Sequence, residues 1–292
     1  MKAVKPRGAS APLRRGRPRI SRELLFLLPS LSGVLVFVLI PFGDVVRRSF
    51  LSSIGGSYVG GANYRAVFAN QAFLLAAGNT LRFLAVCIPL LLASSLLLAL
   101  ILSALPASKW LRTSFLLPMA VPVASVVMLW QALFNQNGLI NGWLTGLGAD
   151  PVNWMNSPRA FWVLVGSYIW RNVGYDMILW MAGLAGINPS LKEAAKIDGA
   201  GSLSIFFRIT LPNLMPSLYT ILVLSLLSAL KVFREAYLVA GDYPHTSIYL
   251  LQHLFNNWFR ELSMDRLAAA AVVVAGAVLA LLLLLRFLWE RD

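Results

Sequence analysis

The sequence predicts an all-α membrane protein of six transmembrane helices, and three observations carry that prediction. Of the 292 residues 58% are hydrophobic and 13% charged, and the mean hydropathy is +0.72, a profile of polytopic membrane proteins. Spanning the hydrocarbon takes roughly 20 apolar residues, and six segments reach that length, at about 24–46, 78–103, 111–134, 160–184, 213–240 and 266–288. Between the fourth and fifth lies one patterned polar island, Glu193–Pro212, reading EAAKIDGAGSLSIFFRITLP.

The chain opens on a basic tail at 1–22, followed by a six-helix domain at 23–292. Eight of the 25 Lys and Arg residues fall in those first 22 positions, with no acid among them. A net charge of +13 concentrated in a tail fits retention on the cytoplasmic side and contact with anionic membrane lipid rather than nucleic-acid reading. The apolar stretch Leu24–Pro41 is longer than a signal-peptide core and carries no A-x-A site, so it is read as the first membrane helix. Six crossings then place both termini, the loop after the second helix and the Glu193 loop in the cytoplasm. Arg47 and Arg48, at the outer end of the first helix, run against the charge bias. The glycine-rich segment Ser52–Tyr64 and the segment Asn135–Pro158, with Gly138, Asn141 and Pro151, read as outer loops.

The island has its own local logic, spanning 188–212. Pro189 suits a first helical turn, and Asn188 before it can cap that turn. Asp198-Gly199 ends the helix, since glycine takes the left-handed conformation readily. Ser202 is placed to cap a second helix that Pro212 stops. Leu191, Ala194 and Ala195 share one face at i, i+3, i+4, and two small residues there permit close approach to a partner's groove.

Glu193-Ala194-Ala195, three residues, Gly199, nine residues, Ile209, one residue, Leu211-Pro212 resembles the EAA loop of permease subunits of binding-protein-dependent ABC importers. The resemblance implies a type I ABC importer permease-like bundle with a cytoplasmic EAA helix-turn-helix loop, in which Glu193, Ala194, Ala195, Asp198, Gly199, Ile209, Leu211 and Pro212 couple to an ATPase. Weaker runs extend it over most of the chain. Asn63-Tyr64, Asn79-Thr80-Leu81, Arg112 with Phe115-Leu116-Leu117-Pro118 and Pro122, and Gly138-Leu139-Ile140-Asn141 look like the carbohydrate-importer, maltose-type branch. Lys231-Val232-Phe233 with Tyr237, Gly241 and Pro244 resembles that branch's F-K-V-F-D…Y…T-G-G-G-P run. Here, however, Ala240, Asp242 and Tyr243 stand where the branch has Thr, Gly and Gly, and Arg234 replaces an acid. The implied partners are a second homologous permease, two ATPase subunits and an extracytoplasmic solute-binding protein, in a bacterial inner or plasma membrane.

Chemistry within the chain is sparse. There is no G-x-x-x-x-G-K-[ST], and no glycine is followed by lysine, so a phosphate cradle cannot form. No cofactor is expected in this chain, and ATP-Mg belongs to the partners. Neither a G-x-S-x-G elbow nor an H-E-x-x-H pair occurs, and no enzyme activity is expected. Cys87 is alone, which leaves no pair for a disulfide. His245 and His253 sit in one late loop and read as packing residues rather than a metal site.

Polar groups within the apolar segments remain as candidates, because a central charge costs roughly 2.5–3.5 kcal/mol on insertion scales. Arg171 and Asp176 in the fourth segment and Lys231 and Glu235 in the fifth either neutralise one another between helices or line a water-filled cavity. Ser225, Ser228, Lys231 and Glu235 follow one helical stripe. The resemblance sets Tyr175 where the maltose-type branch places an aromatic facing its sugar. Tyr175, Ser225, Ser228 and Lys231 are therefore the candidate solute path. Two other readings use the same residues: a secondary transporter driven by an ion gradient, relaying through Arg171, Asp176, Lys231 and Glu235, and an ABC importer for a non-sugar solute. Gradient-driven folds commonly carry internal repeats, and none is visible here.

Overall fold

A computed structural model describes residues 22–105 and 108–290, without the side chains of 22–25, 108–109, 235 and 238–240. The basic tail therefore lies outside the described residues apart from Arg22, as do the side chain of Glu235 and that of Ala240. The chain divides into two units, one ending at Arg47 and one beginning at Arg48.

The first unit is a single apolar helix built from α1 (Arg22–Val34), a π turn (Leu35–Leu39) and α2 (Ile40–Arg48). The π turn has a local cause. Pro41 has no N–H, and its ring would meet the carbonyl four residues back, so the helix widens by one residue just ahead of it. Arg47 bonds Asp44 three residues earlier at 2.7 Å, which neutralises Arg47 in place.

The second unit begins with α3 (Ala62–Ala69) and the 34-residue α4 (Gln71–Ala104), capped by the Asn70 side chain. The third expected span is not one helix. It is α5 (Ser108–Ala120) and α6 (Val123–Phe134), with a 94° bend between them. Pro122 causes the break, since it lacks a donor and drives Val121 out of the helical region. The outer segment expected as loop contains α7 (Leu139–Gly146). There Asn141 accepts from Val152 N (2.9 Å) and Trp154 Nε1 (3.0 Å) and donates to the Gln136 and Val152 carbonyls at 3.0 and 2.9 Å.

α8 (Ala160–Ala185) packs against α4, α5 and α12 (Met215–Ala229). Glycines set how close it comes: a Cβ on Gly174 would lie 1.9 Å from the Phe115 carbonyl oxygen of α5, and one on Gly183 would lie 2.2 Å from Ser217 Oγ of α12. Small residues serve this purpose at helix contacts in membranes, where packing rather than water drives association. Trp180 of α8 is 1% exposed and donates its indole N–H to Ser95 Oγ of α4 at 3.1 Å.

Between α8 and α12 come α9 (Pro189–Ile197), α10 (Ser202–Ile205), a π turn (Phe206–Thr210) and α11 (Leu211–Asn213). The fifth expected span, 213–240, is interrupted at Leu230–Val232, after which α13 (Phe233–Ala240) begins. The late loop contains α14 (Leu251–Arg260), and α15 (Met264–Trp289) completes the chain. α4 holds the entry to α14: Asn79 Nδ2 donates to the Thr246 and Tyr249 carbonyls at 2.5 and 3.0 Å, and Thr80 Oγ1 accepts from Leu251 N at 3.0 Å.

Three stretches are long and apolar enough to cross a bilayer alone: Phe26–Arg48, Gln71–Ala104 and Met264–Trp289. Two bent pairs, Trp110–Ala120 with Val123–Gly146 and Ser202–Asn213 with Met215–Ala229, pass together. α8 has the length, but Arg171, Asn172 and Asp176 lower its hydropathy; it is the helix around which the second unit packs. Among the described residues the chain is thus mostly helical, with three stretches that pass alone and two bent pairs that pass together.

Candidate functional site

The island at 188–212 folds as two short helices around a turn. Asn188 Oδ1 accepts from Ser190 N at 3.1 Å, with Pro189 in the first turn. α9 ends at Asp198, and Gly199 has φ +80°, a conformation L side chains rarely adopt. Two local expectations are corrected. Gly201, not Ser202, is the cap of α10, and the Ser202 side chain makes no capping bond because it already sits at the first helical position. Pro212 does not stop the helix. The chain absorbs it, as at Pro41, by widening into the Phe206–Thr210 π turn and breaks two residues later at Leu214, bending 65° into α12.

Glu193 and Ala194 are exposed, Ala195 and Ile209 half-buried. Around them Leu191 is 45%, Ile197 87%, Leu203 75% and Phe207 60% exposed. Both roots of the loop are fixed by contrast. Ile187, after α8, and Leu214, before α12, lie in one buried cluster with Met177, Trp180 and Ile221. Both roots of the loop thus meet in one packed cluster at the ends of α8 and α12.

Along the same two helices runs a polar seam. Tyr168, Asn172 and Asp176 are spaced i, i+4, i+8 on α8 and meet α12: Tyr168 Oη donates to the Ser225 carbonyl at 3.0 Å, Ser228 Oγ to Asn172 Oδ1 at 3.4 Å, and Ser225 Oγ to Asp176 Oδ2 at 2.7 Å. Asp176 and Ser225 are 2% and 3% exposed.

Beyond the seam opens a cavity of ≈ 480 Å³, lined by Val123 of α6, Arg171 of α8, Lys231, Phe233 and Arg234 where α12 passes into α13, and Gln252 and Phe255 of α14. Arg171 also reaches the Val121 carbonyl that the Pro122 break leaves without a helical partner, at 3.5 Å. Of the four path candidates, Lys231 lines this cavity. Ser225, Ser228 and Tyr175 are not among its lining residues: the two serines lie in the seam, and Tyr175 is 37% exposed. The single stripe through Ser225, Ser228, Lys231 and Glu235 is broken by the turn at Leu230–Val232.

Gln252 and Phe255 were not singled out from sequence, although Leu251, Leu254, Phe255 and Trp258 have the i, i+3, i+4, i+7 spacing of a one-sided helix. One departure from the carbohydrate-branch run has a structural role. Asp242 binds the Arg260 guanidinium, accepts from Asn256 Nδ2 at 3.1 Å and offers its carbonyl to Asn257 Nδ2 at 3.2 Å. It thereby ties the end of α13 to α14, and Arg260 holds its carboxyl below the usual carboxylate range.

With this geometry in place, comparison with known proteins is direct. Residues 95–291 match the family described as binding-protein-dependent transport system inner membrane component. Over 260 residues the chain is 31% identical to the sulfoquinovosyl glycerol transport system permease protein SmoG of Agrobacterium fabrum, covering 86% of this chain and 84% of that one. It is 36% identical over 243 residues to the trehalose/maltose transport system permease protein MalF of Thermococcus litoralis, covering 80% and 82%. The crystal structure of a bacterial ABC transporter involved in the import of the acidic polysaccharide alginate has a chain that superposes with a TM-score of 0.81 at 25% identity, covering 93% of this chain and 97% of that one. This chain belongs to the binding-protein-dependent transport system inner membrane component family. It is a membrane-embedded permease component, in a family of transport proteins, and membership sets aside the gradient-driven reading.

Proposed function

We propose that this chain is one of two homologous permease subunits that together form the path for a sugar or related polyol. Two ATPase subunits using ATP-Mg and an extracytoplasmic solute-binding protein complete the importer. The solute class follows the names of the relatives above. The observation that carries the coupling role is the exposed surface of α9, α10 and the π turn after them, where Leu191, Ile197, Leu203 and Phe207 surround Glu193 and Ala194. A short helix with uncovered apolar residues at helical spacing is what a hydrophobic groove receives. Asp198, Gly199, Ile209, Leu211 and Pro212 belong to the same coupling loop.

In the mechanism we infer, closure of the ATPase pair pushes α9 as a body. The buried roots at Ile187 and Leu214 pass the motion to α8 and α12, and the seam keeps those helices in register while the surfaces beyond it change access. Orientation rests on the basic tail and on parity, which put both termini and the loop in the cytoplasm. The loop transmits force and does not catalyse.

The test uses two loop variants. Ala194→Trp blocks close approach while leaving the turn intact. Gly199→Val strains the turn by roughly 1–2 kcal/mol and tilts α9. Both are expected to insert and to co-purify with the second permease, while losing ATPase association or solute-stimulated hydrolysis. Full ATPase binding and full transport in both variants would reduce the loop to a connector.

A further inference from the structure

We infer that one water molecule binds between α6 and α8, held by the indole N–H of Trp130 and the hydroxyl of Ser167 in the small cavity that these two residues line together.

Trp130 is 9% and Ser167 4% exposed, and neither Trp130 Nε1 nor Ser167 Oγ has a hydrogen-bond partner among the described residues. A buried donor or acceptor left unmet is costly, and in folded proteins such groups are almost always satisfied by protein or by ordered water. The Trp130 ring stacks on Phe134 at 5.2 Å and meets Trp170 edge-on at 6.3 Å. These contacts fix the plane of the indole and with it the direction of its N–H. Ser167 does not make the bond to the preceding turn that other helical hydroxyls of this chain make, Thr80 to the Ala76 carbonyl at 2.8 Å and Ser114 to the Trp110 carbonyl at 3.0 Å. Elsewhere on α8 a tryptophan and a serine do bond directly, Trp180 to Ser95 at 3.1 Å. Trp130 and Ser167 do not, although they share a cavity.

That cavity has a volume of ≈ 20 Å³. A water needs about 10–15 Å³ and two to four polar groups, so there is room for one molecule and for no larger ligand. Met155, Ala160, Ala236 and Ile248 are among the apolar remainder of the lining, which leaves the indole and the hydroxyl as the side-chain groups that orient the water. Trp130 N–H donates to the water oxygen, and a water O–H donates to Ser167 Oγ. One molecule thereby meets both needs, with bonds nearly as favourable as a direct one.

The position gives this water a role. α6, α8 and α13 also line the cavity of ≈ 480 Å³, through Val123, Arg171 and Phe233. Trp130, Ser167 and Ala236 stand seven, four and three residues away on the same helices, which is the same face one or two turns along. The water therefore continues the groove of the larger cavity. There it joins α6, the second leg of the span that Pro122 breaks, to α8 through a molecule that can exchange.

The test uses the assembled transporter without solute. Its structure, determined at a resolution that orders water, is expected to show one oxygen within hydrogen-bond distance of both Trp130 Nε1 and Ser167 Oγ. An empty site overturns the proposal, and so does an oxygen that appears only when solute is added, which would assign the place to a solute hydroxyl. This measurement stands whether or not any variant assembles. The second is a thermal-unfolding cycle of Ser167→Ala, Trp130→Phe and the double variant. Ser167→Ala is expected to lower the melting temperature, and to lower it less in the Trp130→Phe background, where the bridge is already broken. A hydroxyl without any partner gives no loss or a gain on removal, since an unmet buried polar group is then gone. One that bonds only a carbonyl of its own helix gives equal losses in both backgrounds. Either of these two results overturns the proposal.

Discussion

Ser225 Oγ donates to Asp176 Oδ2 over 2.7 Å, with both side chains almost wholly buried between α8 and α12. That bond links the two helices whose far ends root the exposed loop. Ser225→Ala leaves the carboxyl without its hydroxyl partner, and the expected loss is about 1–2 kcal/mol. Asp176→Asn keeps an acceptor oxygen and should cost less. Thermal unfolding of the assembled transporter, with the Asp176→Ala single variant and the Asp176→Ala/Ser225→Ala double variant closing the cycle, reads the coupling. Additive single effects would mean that the bond holds nothing.

The second prediction concerns close approach. A Cβ on Gly174 would stand 1.9 Å from the Phe115 carbonyl oxygen and 2.4 Å from its carbon. Both atoms are backbone, so α5 must shift as a whole. Gly174→Ala is expected to destabilise by about 1–3 kcal/mol, as overpacking does. Gly166→Ala on the same helix meets nothing within 4 Å and should be neutral or mildly stabilising. Equal melting temperatures for the two variants would show that α5 and α8 do not depend on this contact.

These two contacts also mark where the sequence was readable. The loop helices were legible because capping is local: Asn188, Pro189 and Gly199 each act within a few residues of themselves. The six apolar segments were legible by length. What could not be read was how prolines are absorbed. Pro122 breaks a span outright, whereas Pro41 and Pro212 each leave a continuous helix behind a π turn, and only packing decides between those outcomes. The cavity was illegible for another reason. Arg171, Lys231, Arg234 and Phe255 come from elements up to 84 positions apart in the numbering, and no period in the sequence joins them. Asn79-Thr80 and Asn141 were visible as family runs, but their work on the backbones of 246–251 and 135–152 is tertiary.

The last prediction is a pH dependence. His253, at the first turn of α14 and outside the membrane spans, is 0% exposed, and its Nδ1 accepts the Leu250 N–H at 3.1 Å. The proton of the neutral ring therefore sits on Nε2, which has no hydrogen-bond partner among the described residues. Tyr249 stacks at 5.8 Å and Phe233 meets the ring edge-on at 4.7 Å. Burial lowers the pKa from 6.5 to about 4, while the negative charge of Asp242 pulls weakly the other way. The sign follows from linkage. The unfolded chain takes up a proton near pH 6.5 and the folded chain only near 4, so the stability from His253 is complete above pH 6.5. It is lost as pH falls from 6.5 to about 4, by about 2–3 kcal/mol. His253→Asn places an amide oxygen near the position of Nδ1 and cannot titrate. The melting temperature of the wild-type transporter is therefore expected to fall relative to that of His253→Asn between pH 7.5 and 4.5, whatever their separation at neutral pH, since the carboxylates they share contribute equally to both. Parallel curves over that range would show that His253 takes up its proton without resistance from the fold, and that the packing of Phe233 and Tyr249 around it does not keep the ring neutral.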